Sequence, residues 1–428
     1  MSLGATEILE PLERAAFSDS SRELTREVTP RDLRDLVREH GSPLLVLDCD
    51  SVRAQYRRLA SALPGVDLHY AMKALSHAAV ISTLDAEGSS FDVSSTGEIV
   101  LLRKMGIPAA RMIHTHPIKR ERDIRDAFEF GCRVFVVDNP DEMAKFVDYG
   151  ESVSLLLRVG FRSSDAAVDL AKKFGCAPED AFTLLELGNE LGLSIFGLSF
   201  HVGSQCASSQ AHVGAIQGCL DLMTKVRNAR LTPIRVLDIG GGFPAAYRPD
   251  APGIEAFCAP IRRALADVPK DIRIIAEPGR YLAASAMESI ATVIGKAKRG
   301  SSFWYYLDDG VYGSFNQKIY EGARYPLRVV TDSSGERFPS VLAGPTCDGI
   351  DILEEGVMLP ELRIGDLVAA GAMGAYTIVS ASEFNSIPKA KILVLNGAAA
   401  DAAQDGSEGV ADARSSSAAP DIHPARQV

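Results

Sequence analysis

The chain has 428 residues, 46% hydrophobic and 24% charged, enough for one large domain plus a second with cores of their own. A formal net charge of -11 without any dense Lys/Arg block argues against nucleic acid or an anionic membrane surface as partner, and leaves a small-molecule ligand as the expectation. The seven cysteines are odd in number and scattered, with no CxxC pair or Cys/His spacing, so neither a disulfide framework nor a metal site is indicated.

Residues 1–28 are polar and acidic, lack the apolar stretch of a secretory signal, and read as a flexible arm. No apolar run is long enough to span a bilayer, and the expected location is the reducing cytoplasm. TPRDLRDLVREHGSP then predicts a helix with Thr29 as N-cap, Pro30 in the first helical position and Gly41 as its stop. The strand PLLVLD follows, and residues 29–48 belong either to the domain after them or to the last one.

Eight apolar strand candidates come next in a regular beat: DLHYAM, SSFDV, RMIHTH, RVFVV, VSLLLRV, FGLSFHV, IRVLDIG and RIIAEPG. Segments such as SHAAVISTLDAEG and PDEMAKFVDYG lie between them with helical spacing and glycine stops. The alternation predicts a (β/α)8 barrel over residues 29–284, although a doubly wound open sheet has the same periodicity. From about residue 285 to 398 the strands SIATVIGKAK, SSFWYYLDD, YPLRVVT, FPSVLAG, DLVAAG and AKILVL lack helical intervals and predict an all-β sandwich or barrel-like domain. Residues 399–428, rich in Ala, Ser, Gly and Asp, read as a disordered tail.

Barrel active sites lie where strands end and loops begin. The eight strand ends here are Lys73, Asp92, His116, Asp138, Arg158, His201, the DIGGGFP run from Asp238, and EPGRY from Glu277. Core packing does not call for that much charge. Gly240, Gly241 and Gly242 offer unobstructed backbone N–H groups to a phosphate, with Arg280 as a second anion contact. The run is neither a Walker loop nor GxGxxG. Lys73, read as desolvated among other cations, is expected to have a lowered pKa and to be nucleophilic. A phosphate cradle with such a lysine suggests pyridoxal 5'-phosphate.

HYAMKALS, SSFDVSSTGE, SFHVGSQ, LDIGGGFP, AEPGRY, DDGVYGSFN, GPTCDGID and MGAYT together resemble the ornithine decarboxylase-like, fold type III family of pyridoxal-phosphate decarboxylases, over roughly residues 40–395. The resemblance implies an alanine racemase-like barrel with a β domain, working as a head-to-tail homodimer with active sites at the subunit interface. Lys73 matches the lysine that carries the cofactor, and His201 the imidazole stacked on its ring. Ser204, Gly240, Gly241, Gly242, Arg280 and Tyr376, with Gly279 beside them, match the phosphate contacts. Glu277 matches the carboxylate facing the pyridine nitrogen, where ionisation favours a decarboxylase; racemases carry an arginine there. Asp92 and Glu98 match acidic positions near the lysine.

Cys347 and Asp348 match a pair contributed by the neighbouring subunit, the thiol to protonate Cα and the carboxylate to meet a distal ammonium. Glu321, preceded by Tyr320, aligns with a second distal carboxylate that is aspartate in typical ornithine enzymes, and EFNSIP departs from the usual FNGF ending. GPTCDG resembles the ornithine/lysine branch, not the Cys-Glu-Ser form of diaminopimelate enzymes. The expected reaction is decarboxylation of L-ornithine and/or L-lysine to putrescine or cadaverine in polyamine biosynthesis. Alternatives are 2,4-diaminobutyrate or diaminopimelate as substrate, or a catalytically silent regulator on the same fold.

Overall fold

The computed structural model describes residues 30–162, 166–168, 170–247 and 251–397. The expected arm, Thr29 and the tail from residue 399 lie outside the described residues. Pro30 opens a helix over Pro30–His40, and Gly41, at φ +83°, ends it by donating its N–H to the Val37 carbonyl at 2.9 Å.

All eight strand candidates form, and their pairing decides between open sheet and barrel. Val236–Asp238 pairs with Ile195–Phe200 on one side and Arg273–Ala276 on the other; Arg273–Ala276 then pairs with the first strand, Val66–Ala71, in the register Ile275 to Asp67. The parallel barrel is therefore closed. Its interior has two chemical layers. Ile113, Val136, Leu156, Val236 and Ile275 form a small apolar cluster inside the ring, separate from the larger core that joins strands to helices. Two residues further along their strands stand Asp138, Arg158, Asp238 and Glu277. The period of two keeps these on the inner face, one layer nearer the C-terminal mouth. Cross-strand partners Ala71–Asp92 and Arg158–Ser199–Asp238 extend this polar layer around the ring.

The helical intervals are shorter than their sequence patterns. SHAAVISTLDAEG gives a helix over Ala78–Ala86, capped by His77 Nδ1 accepting from the Ala79 N–H at 3.2 Å. PDEMAKFVDYG divides into Pro140–Ala144 and a 3-10 segment Val147–Ser152, broken at Gly150, whose φ/ψ of 50°/-131° no helix accommodates.

The second sheet runs in the order Leu327–Val330, Leu367–Ala370, Met287–Arg299, Ser302–Leu307, Arg337–Ala343, Ile352–Pro360. Ile352–Pro360 was not among the strands expected from sequence: two adjacent glutamates and a glycine interrupt its apolar alternation, which an edge position beside a single partner tolerates. Leu44–Asp48 lies in this sheet, antiparallel to Met287–Arg299 and parallel to Lys391–Leu395. Leu33 of the first helix packs on the same face, with Leu44, Val46, Ile290 and Leu367. Residues 30–48 thus pack as part of the β domain although they precede the barrel.

Candidate active site

Lys73 sits in a single 3-10 turn, Met72–Ala74, immediately after the first barrel strand. Its side chain is 37% exposed to an open pocket, while its Nζ lies 2.6 Å from Oδ2 of Asp92, which is fully buried. The Thr115 hydroxyl donates to the other Asp92 oxygen. Here the structure corrects the expectation of a lowered pKa. Burial does press toward neutrality, but the Asp92 and Glu277 carboxylates outweigh it and hold the ammonium well above the ordinary lysine value. Lys73 lies among anions, not cations. Glu98, in the first turn of the helix Thr96–Lys104 that follows the Asp92 strand, accepts the Ser94 N–H, and burial raises its carboxyl to about 7.

Glu277 and Asp238 end adjacent strands. Burial, then Asp238 and Asp92, push the Glu277 carboxyl well above its usual range, and Asp238 is raised to about 6 by its own burial. Asp238 is tied down by the Gly240 N–H at 2.9 Å and the Ser199 hydroxyl at 3.1 Å. Each carboxyl stands in a setting that disfavours its ionisation, and Glu277 is pushed well up. Its Oε1 is buried without a hydrogen-bond partner among the described residues.

The glycine run shows why side chains are excluded there. Gly240 and Gly242 have φ of +64° and +96°. A Cβ would lie 2.2 Å from the Phe200 carbonyl oxygen at Gly240, and 2.6 Å from that of Gly203 at Gly242. At Gly241 it would meet the Glu277 carbonyl oxygen at 2.8 Å and His201 Nε2 at 3.0 Å. His212, which the sequence reading did not single out, donates from Nε2 to the Gly241 carbonyl at 3.0 Å and braces the loop from behind. His201 accepts the Gly203 N–H on Nδ1 at 3.0 Å; burial, with Arg158 and Lys73 close by, keeps its imidazole neutral. Arg158 is itself buried, with Nη2 unpartnered among the described residues.

Arg280 closes the far end. Its Nε donates to Ser204 Oγ at 3.1 Å and its Nη1 to the Tyr247 hydroxyl at 3.0 Å, while the Tyr376 ring lies 4.8 Å beneath the guanidinium. Tyr376 is held at φ +59° by donating its N–H to the Ala74 carbonyl, which ties it to the lysine turn. Gly279 packs so closely on Ala71 and Ala74 that a Cβ would fall 3.1 Å from each methyl. Tyr247 had no signal in sequence, since it follows the glycine run in an irregular loop and gains meaning only through Arg280.

The remaining candidates stand apart. Cys347 is exposed and Asp348 half-buried, and neither lines the Lys73 pocket. Tyr312 donates its hydroxyl to Asp348 Oδ2 and stacks on Phe384 at 4.4 Å, while Asn385 accepts the Cys347 N–H at 3.2 Å. The departing EFNSIP segment therefore braces this loop. Glu321 does not face open space but accepts both of its contacts from Arg280, and Tyr320 is 67% exposed on the surface.

A lysine held ready at one end of a barrel mouth, and an anion cradle that only glycine can form at the other, suit enzymes that hold a phosphate-bearing aldehyde. Residues 49–284 match the pyridoxal binding domain of the pyridoxal-dependent decarboxylases. The lysine/ornithine decarboxylase of Selenomonas ruminantium is 36% identical over 86% of this chain and 93% of its own. Antizyme inhibitor 2 of Xenopus laevis is 33% identical over 87% and 84%. The crystal structure of the Vibrio vulnificus lysine/ornithine decarboxylase with putrescine superposes with a TM-score of 0.82 at 48% identity, covering 86% of this chain and 98% of that one. The chain belongs to the pyridoxal-dependent decarboxylase family, an amino-acid decarboxylase whose cofactor is pyridoxal 5'-phosphate. The pocket fits that group: Gly241, Gly242 and Arg280 line it and suit the phosphate, whereas the Gly240 N–H, expected to be free, is taken by Asp238; the orphaned Glu277 oxygen suits a protonated ring nitrogen.

Proposed function

We propose that the protein decarboxylates L-ornithine and/or L-lysine to putrescine or cadaverine, supplying polyamine synthesis in the cytoplasm as a head-to-tail homodimer. The observation that carries this reading is the separation of two complete half-sites. The Lys73 pocket holds the cofactor residues, while a braced, exposed loop presents Cys347 and Asp348 elsewhere on the same chain. A second copy docking that loop over the pocket makes one site from two. Seven free thiols support the reducing setting. Among the described residues no helix is long and apolar enough to cross a membrane.

When bound, the cofactor serves as the sink for the electron pair left on Cα as carbon dioxide departs. The chain's residues do the rest. Lys73 would have to lose its proton to become nucleophilic, and the Asp92 carboxylate 2.6 Å away, which favours the ammonium, sets how hard that proton is to remove. Glu277, with its Oε1 buried and unpartnered among the described residues, would hold the protonated ring nitrogen, and a cation there would favour its ionised form. The partner's loop brings the thiol that returns a proton to Cα. It also brings a carboxylate for the distal ammonium, kept ionised because the Tyr312 hydrogen bond holds its pKa down.

Carbon dioxide release from L-ornithine, L-lysine, 2,4-diaminobutyrate and meso-diaminopimelate, measured with added cofactor, tests the substrate. Release from ornithine or lysine is expected, and silence from both with cofactor bound overturns the substrate class. Failure to bind cofactor at all would favour the regulatory reading that the antizyme-inhibitor relative raises. The shared site has its own test. Lys73→Ala and Cys347→Ala proteins, each crippled alone, should recover up to about a quarter of native sites after random subunit exchange, because half the dimers are mixed and each holds one intact site. No recovery where exchange is demonstrated places the whole site in one chain.

A further inference from the structure

The ion pair between Glu321 and Arg280 does something that neither cofactor binding nor substrate binding explains separately. Both Glu321 oxygens lie 2.8 Å from Arg280 Nη2, with the two side chains 18% and 6% exposed. The guanidinium has five N–H donors in a fixed fork. Nε faces Ser204 and Nη1 faces Tyr247, so the Glu321 carboxylate occupies the remaining nitrogen and neutralises the cation at this end of the pocket. A cofactor phosphate brings about two negative charges to the same place. A carboxylate that close repels it in a site largely removed from water.

We infer that Glu321 competes with the cofactor phosphate for Arg280, and that the distal ammonium of a diamine draws it off. Glu321 thereby becomes a shared carboxylate that couples cofactor affinity to substrate binding. The inference rests on the proposed role of Arg280 as a phosphate contact. Glu321 is flanked by exposed residues, Tyr320 and Gly322. It ends a five-residue helix, Gln317–Glu321, that stops at Gly322 with φ +64°. Lys318 pairs with Glu354 at 3.3 Å at the start of that turn, and the Gly322 and Ala323 N–H groups close its end on the Gln317 carbonyl, so that Glu321 would leave by turning its side chain and not by moving the helix. Coupling of this kind is reciprocal: whatever factor the diamine adds to phosphate affinity, phosphate adds to diamine affinity.

The test uses full-length, cofactor-free protein and two probes, pyridoxal phosphate followed by its visible absorbance and inorganic phosphate followed by calorimetry. Glu321→Gln should bind both on the order of 10-fold more tightly than wild type, and Glu321→Ala should act in the same direction. Glu354→Gln, which removes a charge from the other end of the same turn, should change neither. Putrescine should strengthen inorganic phosphate binding to the wild type and not to Glu321→Gln. Equal or weaker phosphate binding by Glu321→Gln overturns the competition, and a wild type indifferent to putrescine overturns the coupling. If pyridoxal phosphate binds neither wild type nor Glu321→Gln, the proposed function fails instead.

Discussion

Lys73→Ala should lower decarboxylation by at least ~10³-fold, the scale of loss when a covalent catalyst is deleted, while the protein stays folded. The side chain lines an open pocket, so its removal enlarges that pocket and leaves no sealed cavity. It does leave Asp92 buried without its ammonium at 2.6 Å, which lowers melting temperature modestly without unfolding a barrel closed by backbone pairing. Activity and covalent attachment should fall together. Borohydride reduction of the loaded wild type should place the cofactor's mass on the peptide containing Lys73, and the variant should show none. Near-normal turnover, or trapping on a different lysine, removes Lys73 from its assigned role. Because the Asp92 carboxylate holds the Lys73 ammonium above its ordinary pKa, Asp92→Asn should lower that pKa, free the amine and speed cofactor attachment, with Lys73 still labelled in the end.

Glu277→Gln should lower kcat by ~10²–10³-fold, the range for removing one fixed charge aimed at a developing charge in a buried site. The amide keeps the shape but cannot ionise against the ring nitrogen. Unchanged kcat would leave Glu277 a structural partner of Asp238. The same substitution has a signature in the cofactor-free protein. Burial and the Asp238 and Asp92 carboxylates raise the folded-state pKa of Glu277 above its value in the unfolded chain, near 4.5. The folded protein therefore binds more protons than the unfolded one, and stability falls as pH rises from there. The substituted amide cannot titrate, and it frees Asp238 from a neighbour that competes with it for ionisation. The melting temperature of Glu277→Gln relative to wild type should consequently increase from pH 4.5 to 7, a window that includes the Asp238 value of about 6. A difference independent of pH would mean that Glu277 is not raised in the folded protein.

Much of this was legible along the chain because strand periodicity and strand-end chemistry are local. Short apolar runs set between helical intervals located every barrel strand, and the chargeable or glycine-rich end of each run marked the mouth. Where position depends on what lies across the fold, local pattern was silent or misleading. The edge strand Ile352–Pro360 hid behind Glu354, Glu355 and Gly356, and Gly150 broke a segment with helical spacing. Tyr247, His212 and Tyr312 acquire roles only through Arg280, Gly241 and Asp348, each at least 29 positions away.

The lysine shows the same division. Its place at a strand end follows from sequence, yet the direction of its pKa depends on Asp92, 19 residues on, and on Glu277, which strand closure brings around the ring. Sequence alone determined the elements, their order, the family motifs and the residue types available to a phosphate and an aldehyde, because these depend on neighbours a few bonds apart. Tertiary structure decided that the sheet closes, that the first strand serves the last domain, that Lys73 is charged and that Glu321 holds Arg280. Those outcomes rest on through-space pairing and electrostatics between segments the chain separates widely, and they exist only once the ring is shut.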